Sequence, residues 1–81
     1  MKVKARFFAL FREVVGKGLD EVEIEGPITV GAFQERIAQR YPKLTDYLAH
    51  VTVAVNAEYA ARDQKLKDGD EVAFFPPLSG G

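Results

Sequence analysis

Apolar and polar residues alternate along three stretches of the chain. Over Lys2 to Ala9, Val3, Ala5 and Phe7 fall on one side and Lys4, Arg6 and Phe8 on the other. That period of two marks a half-buried strand, with one aromatic on the otherwise charged side. Asp20 to Glu25 repeats the pattern, with Val22 and Ile24 inward and Glu21, Glu23 and Glu25 outward, and Gly26-Pro27 stops it. Glu71 to Phe75 is the third, with Val72 and Phe74 inward and Ala73 and Phe75 outward. Val51 to Val55 reads as a more uniformly apolar strand, Asn56 as a turn residue that tolerates left-handed geometry, and Glu58 to Ala60 as a short strand after it.

Between the strand pairs the period changes. Val30, Phe33, Ile37 and Tyr41 recur at the spacing of one helix face, with Gln34, Glu35, Gln39 and Arg40 largely off it. The helix is predicted from Val30 to about Arg40, capped by Thr29 without a capping-box partner, and ended at Tyr41 by Pro42. Leu10 to Gly16 is a loop or a single helical turn, and Lys43 to His50 is ambiguous, with Leu44, Tyr47 and Leu48 able to line a short second helix. Strand, strand, helix, strand, short strand, strand is an α+β order: a mixed sheet of about five strands with one main helix on one face. The expected core is Val3, Phe7, Val22, Ile24, Val53, Val55, Val72 and Phe74 against Phe33 and Ile37.

The end of the chain breaks from this pattern. Pro76 and Pro77 cannot donate to a sheet ladder, so residues 1–75 are expected to form the folded domain and residues 76–81 an extended tail. Side-chain-free Gly80 and Gly81 let such a tail thread a narrow channel. A carboxylate at Gly81 can attack the α-phosphate of ATP, and a sulfur or amine nucleophile can then displace the adenylate. The rest of the chain supplies little chemistry of its own. No cysteine is present, so disulfides, thiolate catalysis and Cys-ligated metals are excluded. His50 is alone and reads as a surface residue, Asp68-Gly69-Asp70 reads as a turn, and Gly16 and Gly18 do not make a phosphate loop. No nucleophile–base pair is visible, and no cofactor or metal is expected on the chain.

Charge and hydropathy narrow the partners. With 81 residues, 28% charged and a net charge of −1, nothing favours nucleic acid or an anionic membrane surface. The first ten residues alternate with Lys2, Lys4 and Arg6 rather than forming a signal peptide, and no apolar run reaches a bilayer span. A cytoplasmic protein is expected. The parity that buries Phe7 and Phe74 turns Phe8 and Phe75 to the helix-free face, where Tyr59 can join them. Single exposed aromatics are ordinary, but aromatics rimmed by charge at the base of an extending tail read as a partner-docking surface.

The run from Asp68 to Gly81, with its Phe-Phe-Pro-Pro and Gly-Gly, resembles the C-terminal signature of the small-subunit family of molybdopterin synthase, the MoaD type. Phe7-Phe8-Ala9, Arg12-Glu13, Gly16 and Val55-Asn56 match other recurring stretches of that family, and the resemblance spans essentially the whole chain. It implies a ubiquitin-like β-grasp fold and a sulfur-carrier role. By that resemblance an ATP-dependent, ubiquitin-activating-like adenylyltransferase (MoeB type) adenylates Gly81, and sulfur transfer makes a thiocarboxylate. The tail then enters the large subunit (MoaE type) of a heterotetramer, which turns cyclic pyranopterin monophosphate into the molybdopterin dithiolene of the molybdenum cofactor. Phe8, Tyr59 and Phe75 fall at the family's docking surface, with Tyr59 where leucine is common; Pro76, Pro77 and Leu78 lead from it to Gly80 and Gly81. A ThiS-like or tRNA-thiolation carrier and a ubiquitin-like modifier are the alternatives with the same ending.

Overall fold

The computed structural model describes residues 1–76, with only the backbone of Ala49. Five strands form one sheet: β1 (Lys2–Phe7), β2 (Leu19–Glu23), β3 (Thr52–Val55), β4 (Glu58–Tyr59) and β5 (Glu71–Phe75). Their order across the sheet is β2-β1-β5-β3-β4. The central pair β1–β5 is parallel and the remaining pairs are antiparallel. Helix α2 (Val30–Arg40) lies on one face, and a shorter helix, α1 (Leu10–Val15), links β1 to β2. A mixed five-strand sheet grasping one main helix is the α+β order read from the sequence and the ubiquitin-like β-grasp arrangement that the family resemblance implies.

Parity decides which side chains the helix covers. Val3, Ala5 and Phe7 of β1, Val22 of β2, and Val72 and Phe74 of β5 are all buried. On the helix, Val30, Phe33 and Ile37 close over them. The parallel register pairs Phe7 with Phe74, and their rings stack at 5.8 Å; Phe33 stacks on Phe74 at 6.3 Å from the helix side. Fully burying each such ring is worth about 1.5–3 kcal/mol, so this aromatic column anchors the domain.

The helix begins where the sequence puts it. The Ala32 backbone N–H donates to Thr29 Oγ1 at 3.2 Å, and the N–H groups of Val30 and Gly31 donate to the carbonyls of Gln64 and Arg62. The first-turn donors that a helix leaves unpaired are thereby met by a neighbouring loop. Gly16, with φ 88, closes α1 through a bond to the Arg12 carbonyl; left-handed geometry favours glycine there. Residues 42–50 form two short 3₁₀ turns, Pro42–Leu44 and Leu48–His50, rather than a second α-helix. They sink Leu44 and Leu48 into the core, while Tyr47 stays 41% exposed with its ring against the edge of Phe11.

Two side chains depart from the sequence reading. Gln34 is buried instead of lying off the helix stripe, and its Nε2 donates to the Leu48 carbonyl at 2.6 Å, tying the irregular segment to α2. Asp20 shares the inward parity of Val22 and is 8% exposed. Arg40 Nε donates to its Oδ2 at 2.7 Å, the Tyr41 hydroxyl donates to the same oxygen, and Lys17 Nζ stands 3.7 Å from Oδ1. Burial alone would raise this carboxyl; the hydrogen bonds from Tyr41 and Arg40, with the charges of Arg40 and Lys17, outweigh it and hold the group below the usual carboxylate range. The same bond to Asp20 raises Arg40.

Candidate functional site

The helix-free face of the sheet is where the sequence-predicted site residues gather. Because β1 and β5 run parallel with Phe7 opposite Phe74, the next residues on each strand meet on the other side. The Phe8 and Phe75 rings stack with centroids 4.7 Å apart and planes 8° from parallel. Phe8 remains 37% exposed and Phe75 half-buried. Immediately after Phe8 the chain turns sharply into α1 through Ala9, whose φ of 51 and ψ of −126 belong to a region that glycine favours.

Tyr59 reaches the same face from the edge. Opposite Ala54 in the β3–β4 ladder, it is 84% exposed. The hairpin that presents it turns through Asn56 and Ala57, with φ of 50 and 71. Asn56 fastens this turn to β5: its Nδ2 donates to Asp70 Oδ1 at 2.9 Å, and its Oδ1 accepts from the Glu71 N–H at 3.0 Å.

Together these rings frame a concavity of about 790 Å³. Its walls are Phe8, Tyr59, Phe75 and Pro76, and Ala54 and Ala73 form part of its floor. Pro76, the last described residue, stands on the rim, so the chain leaves the sheet at the edge of the hollow. Pro77, Leu78, Gly80 and Gly81 lie outside the described residues.

A charged pair interrupts the largely apolar lining. Arg6 Nε donates to Glu71 Oε1 across the β1–β5 junction, with both side chains partly exposed in the wall of the hollow. The sequence reading put Arg6 on this face but did not assign it to the site. Its parity with Phe8, and that of Glu71 with Phe75, was the available signal. Thr52, Ala54 and Ala73 were legible in the same way, as outward positions of β3 and β5.

The remaining candidates hold the fold or face solvent. Asp70 Oδ2 accepts from the Lys67 N–H at 2.8 Å and Asp68 Oδ1 from the Lys2 N–H at 2.7 Å, so the acidic pair around Gly69 builds a turn. His50 is exposed. Among the described residues, no cluster of three or more His, Cys, Asp or Glu is placed to hold a metal ion. No described helix is long and apolar enough to cross a membrane.

Comparison with known proteins agrees with this architecture. The ThiS family profile matches residues 5–81. The chain is 38% identical to the molybdopterin synthase sulfur carrier subunit of Mycobacterium tuberculosis, covering 100% of this chain and 99% of that one. It is 41% identical to the protein of that name in Escherichia coli, covering 98% and 99%. Among solved structures, the crystal structure of small archaeal modifier protein 1 from Haloferax volcanii superposes with a TM-score of 0.87 at 31% identity, over 100% of both chains. On matched length, identity and fold together, the chain belongs to the ThiS family, and within it resembles the molybdopterin synthase sulfur carrier subunits.

Proposed function

We propose that this protein is the sulfur carrier subunit of molybdopterin synthase, with the globular domain serving as a handle for a reactive C-terminal arm. The carboxylate of Gly81 attacks the α-phosphate of ATP on an activating enzyme of the MoeB type, releasing pyrophosphate. A sulfur nucleophile then displaces AMP, leaving a thiocarboxylate. Docked on the large subunit of the MoaE type, each arm gives one sulfur to cyclic pyranopterin monophosphate and returns to a carboxylate, so two charged carriers build the dithiolene. The activating enzyme consumes the ATP, and the cycle runs in an ATP-supplied compartment, the cytoplasm.

The observation that carries this reading is the aromatic-walled hollow at the root of the arm. Phe8, Phe75 and Tyr59 form a patch that a partner can cover at the same time as it receives the tail. The match of the family profile through residue 81, and coverage of the sulfur carrier relatives over 99% of their length, support the same assignment of the arm. Reconstitution tests it: the carrier, an activating enzyme, ATP, a sulfur source, the large subunit and the pterin precursor should yield molybdopterin. Removal of Gly81 should abolish the product. Failure to form it while another acceptor is thiolated would overturn the assignment.

Similarity to an archaeal modifier protein favours a second reading, in which the same activated carboxyl is joined to a lysine amine. Conjugates of higher mass that depend on Gly81, in cells lacking the large subunit, would establish it.

A further inference from the structure

The Arg6–Glu71 pair sits where an apolar docking surface would be expected to carry none. Along the outward face of β1, Lys2 stands opposite Glu23 and Lys4 opposite Glu21 on β2, but Arg6 stands opposite Leu19. On the other side Lys4 is level with Glu71 and Arg6 with Ala73. Arg6 therefore reaches back along the strand to pair with Glu71, and has an acid on one flank only. Its bond to Glu71 uses Nε, one of five guanidinium donors. In a planar fork, a carboxylate bound on the Nε side leaves the edge formed by the two Nη groups free to take a second carboxylate bidentately.

A partner that closes over Phe8, Phe75 and Tyr59 also covers this guanidinium, removing water from its remaining donors. Covered without new acceptors, the Nη groups would be buried unpaired, which opposes docking. Covered by a carboxylate, they complete an acid–Arg–acid arrangement that a partner with an apolar surface at that point cannot form. We propose that Arg6 is a specificity-determining residue of the docking face: the cognate large subunit presents a carboxylate side chain to its Nη edge, with Glu71 holding the guanidinium in position. This rests on the docking role proposed above.

The test uses the full-length chain and the large subunit from the same organism, with affinity measured by titration calorimetry at low and high salt. Arg6→Leu alone would leave Glu71 unpaired in the interface, so the deciding variant is Arg6→Leu with Glu71→Gln, whose hollow is lined by no charge. Its fold is checked by thermal melting. If the partner supplies a carboxylate, this double variant binds at least about thirtyfold more weakly, because that carboxylate is now covered without a partner, and the salt dependence of affinity falls. Arg6→Lys keeps the charge without the fork and binds about tenfold or more weakly, since the second hydrogen bond is lost. A double variant binding within about threefold of the native chain would overturn the proposal, as would native affinity for Arg6→Lys. Phe75→Arg separates the two claims. If it abolishes binding while the double variant binds normally, the docking face stands and the role of Arg6 falls; if it leaves affinity unchanged, the docking reading itself has failed.

Discussion

Tyr59 offers the cleanest separation of docking from folding. It lies on a two-residue edge strand, is 84% exposed, and contributes little to the interior. Replacing it by alanine should cost the free protein no more than about 1 kcal/mol, the span of strand propensity at such a site. Covered by a partner, the ring would remove roughly 150 Å² from water, worth about 3.8 kcal/mol at ~25 cal/mol per Å². Ordering the side chain takes back about 0.5–1.5 kcal/mol, leaving roughly 2.3–3.3 kcal/mol. Tyr59→Ala should therefore weaken binding to the large subunit about 40- to 200-fold, at about 1.4 kcal/mol per decade. Calorimetric titration paired with a thermal melt reads both quantities on one sample. Unchanged affinity would place Tyr59 outside the interface. A fall in Tm matching that of a core truncation would show that the ring supports the fold.

Phe33→Ala provides that core comparison: the ring is fully buried, its loss should cost about 3–5 kcal/mol, and Tm should fall by roughly 12 °C or more in a melt followed by circular dichroism. Asp20→Asn should destabilise the protein by about 1–2 kcal/mol at neutral pH, discounted because Arg40 is half-exposed. Because the native carboxyl of Asp20 is held below its unfolded value, its stabilisation is complete above the usual carboxylate range and fades as pH falls through that range and below it. The gap in Tm between native and Asp20→Asn protein should thus close in acid; a gap constant with pH would refute the charge-based account. Ala57→Gly should raise stability by about 0.5–1 kcal/mol, because the left-handed strain of alanine at φ 71 exceeds the entropy glycine adds to the unfolded chain. A lower Tm would show that the hairpin turn relies on the methyl group.

Strict alternation made most of the sheet readable, because a period of two fixes both the strand and its faces. Phe7, Phe74, Phe8 and Phe75 could be assigned to opposite faces before any pairing was known, and parallel β1–β5 pairing then stacks both couples. Helix α2 was equally legible, since Thr29 and Pro42 bracket a clear apolar stripe. What escaped were residues buried outside the long periodic runs. Phe11 and Leu66 belong to no long periodic run, and Leu44 and Leu48 are sunk by 3₁₀ turns whose spacing matches neither template. Gln34 is buried because the carbonyl of Leu48, on the irregular segment beyond the helix, needs its amide, a tertiary demand that amphipathic spacing cannot encode. Asp20 was within reach of the parity argument but is polar, and it takes Arg40, Tyr41 and Lys17 to make its burial tolerable. At the candidate site, parity found the aromatics and passed over Arg6, because a charge on a solvent-facing strand is ordinary until a hollow forms around it.

The central claim is that sulfur travels on the carboxyl carbon of Gly81, and intact-mass spectrometry addresses it most directly. After incubation with the activating enzyme, ATP and a sulfide source, the protein should gain the mass of one sulfur exchanged for one oxygen, located by fragmentation to Gly81. An unchanged mass under conditions that activate a known sulfur carrier, or sulfur found on any other residue, would contradict the account.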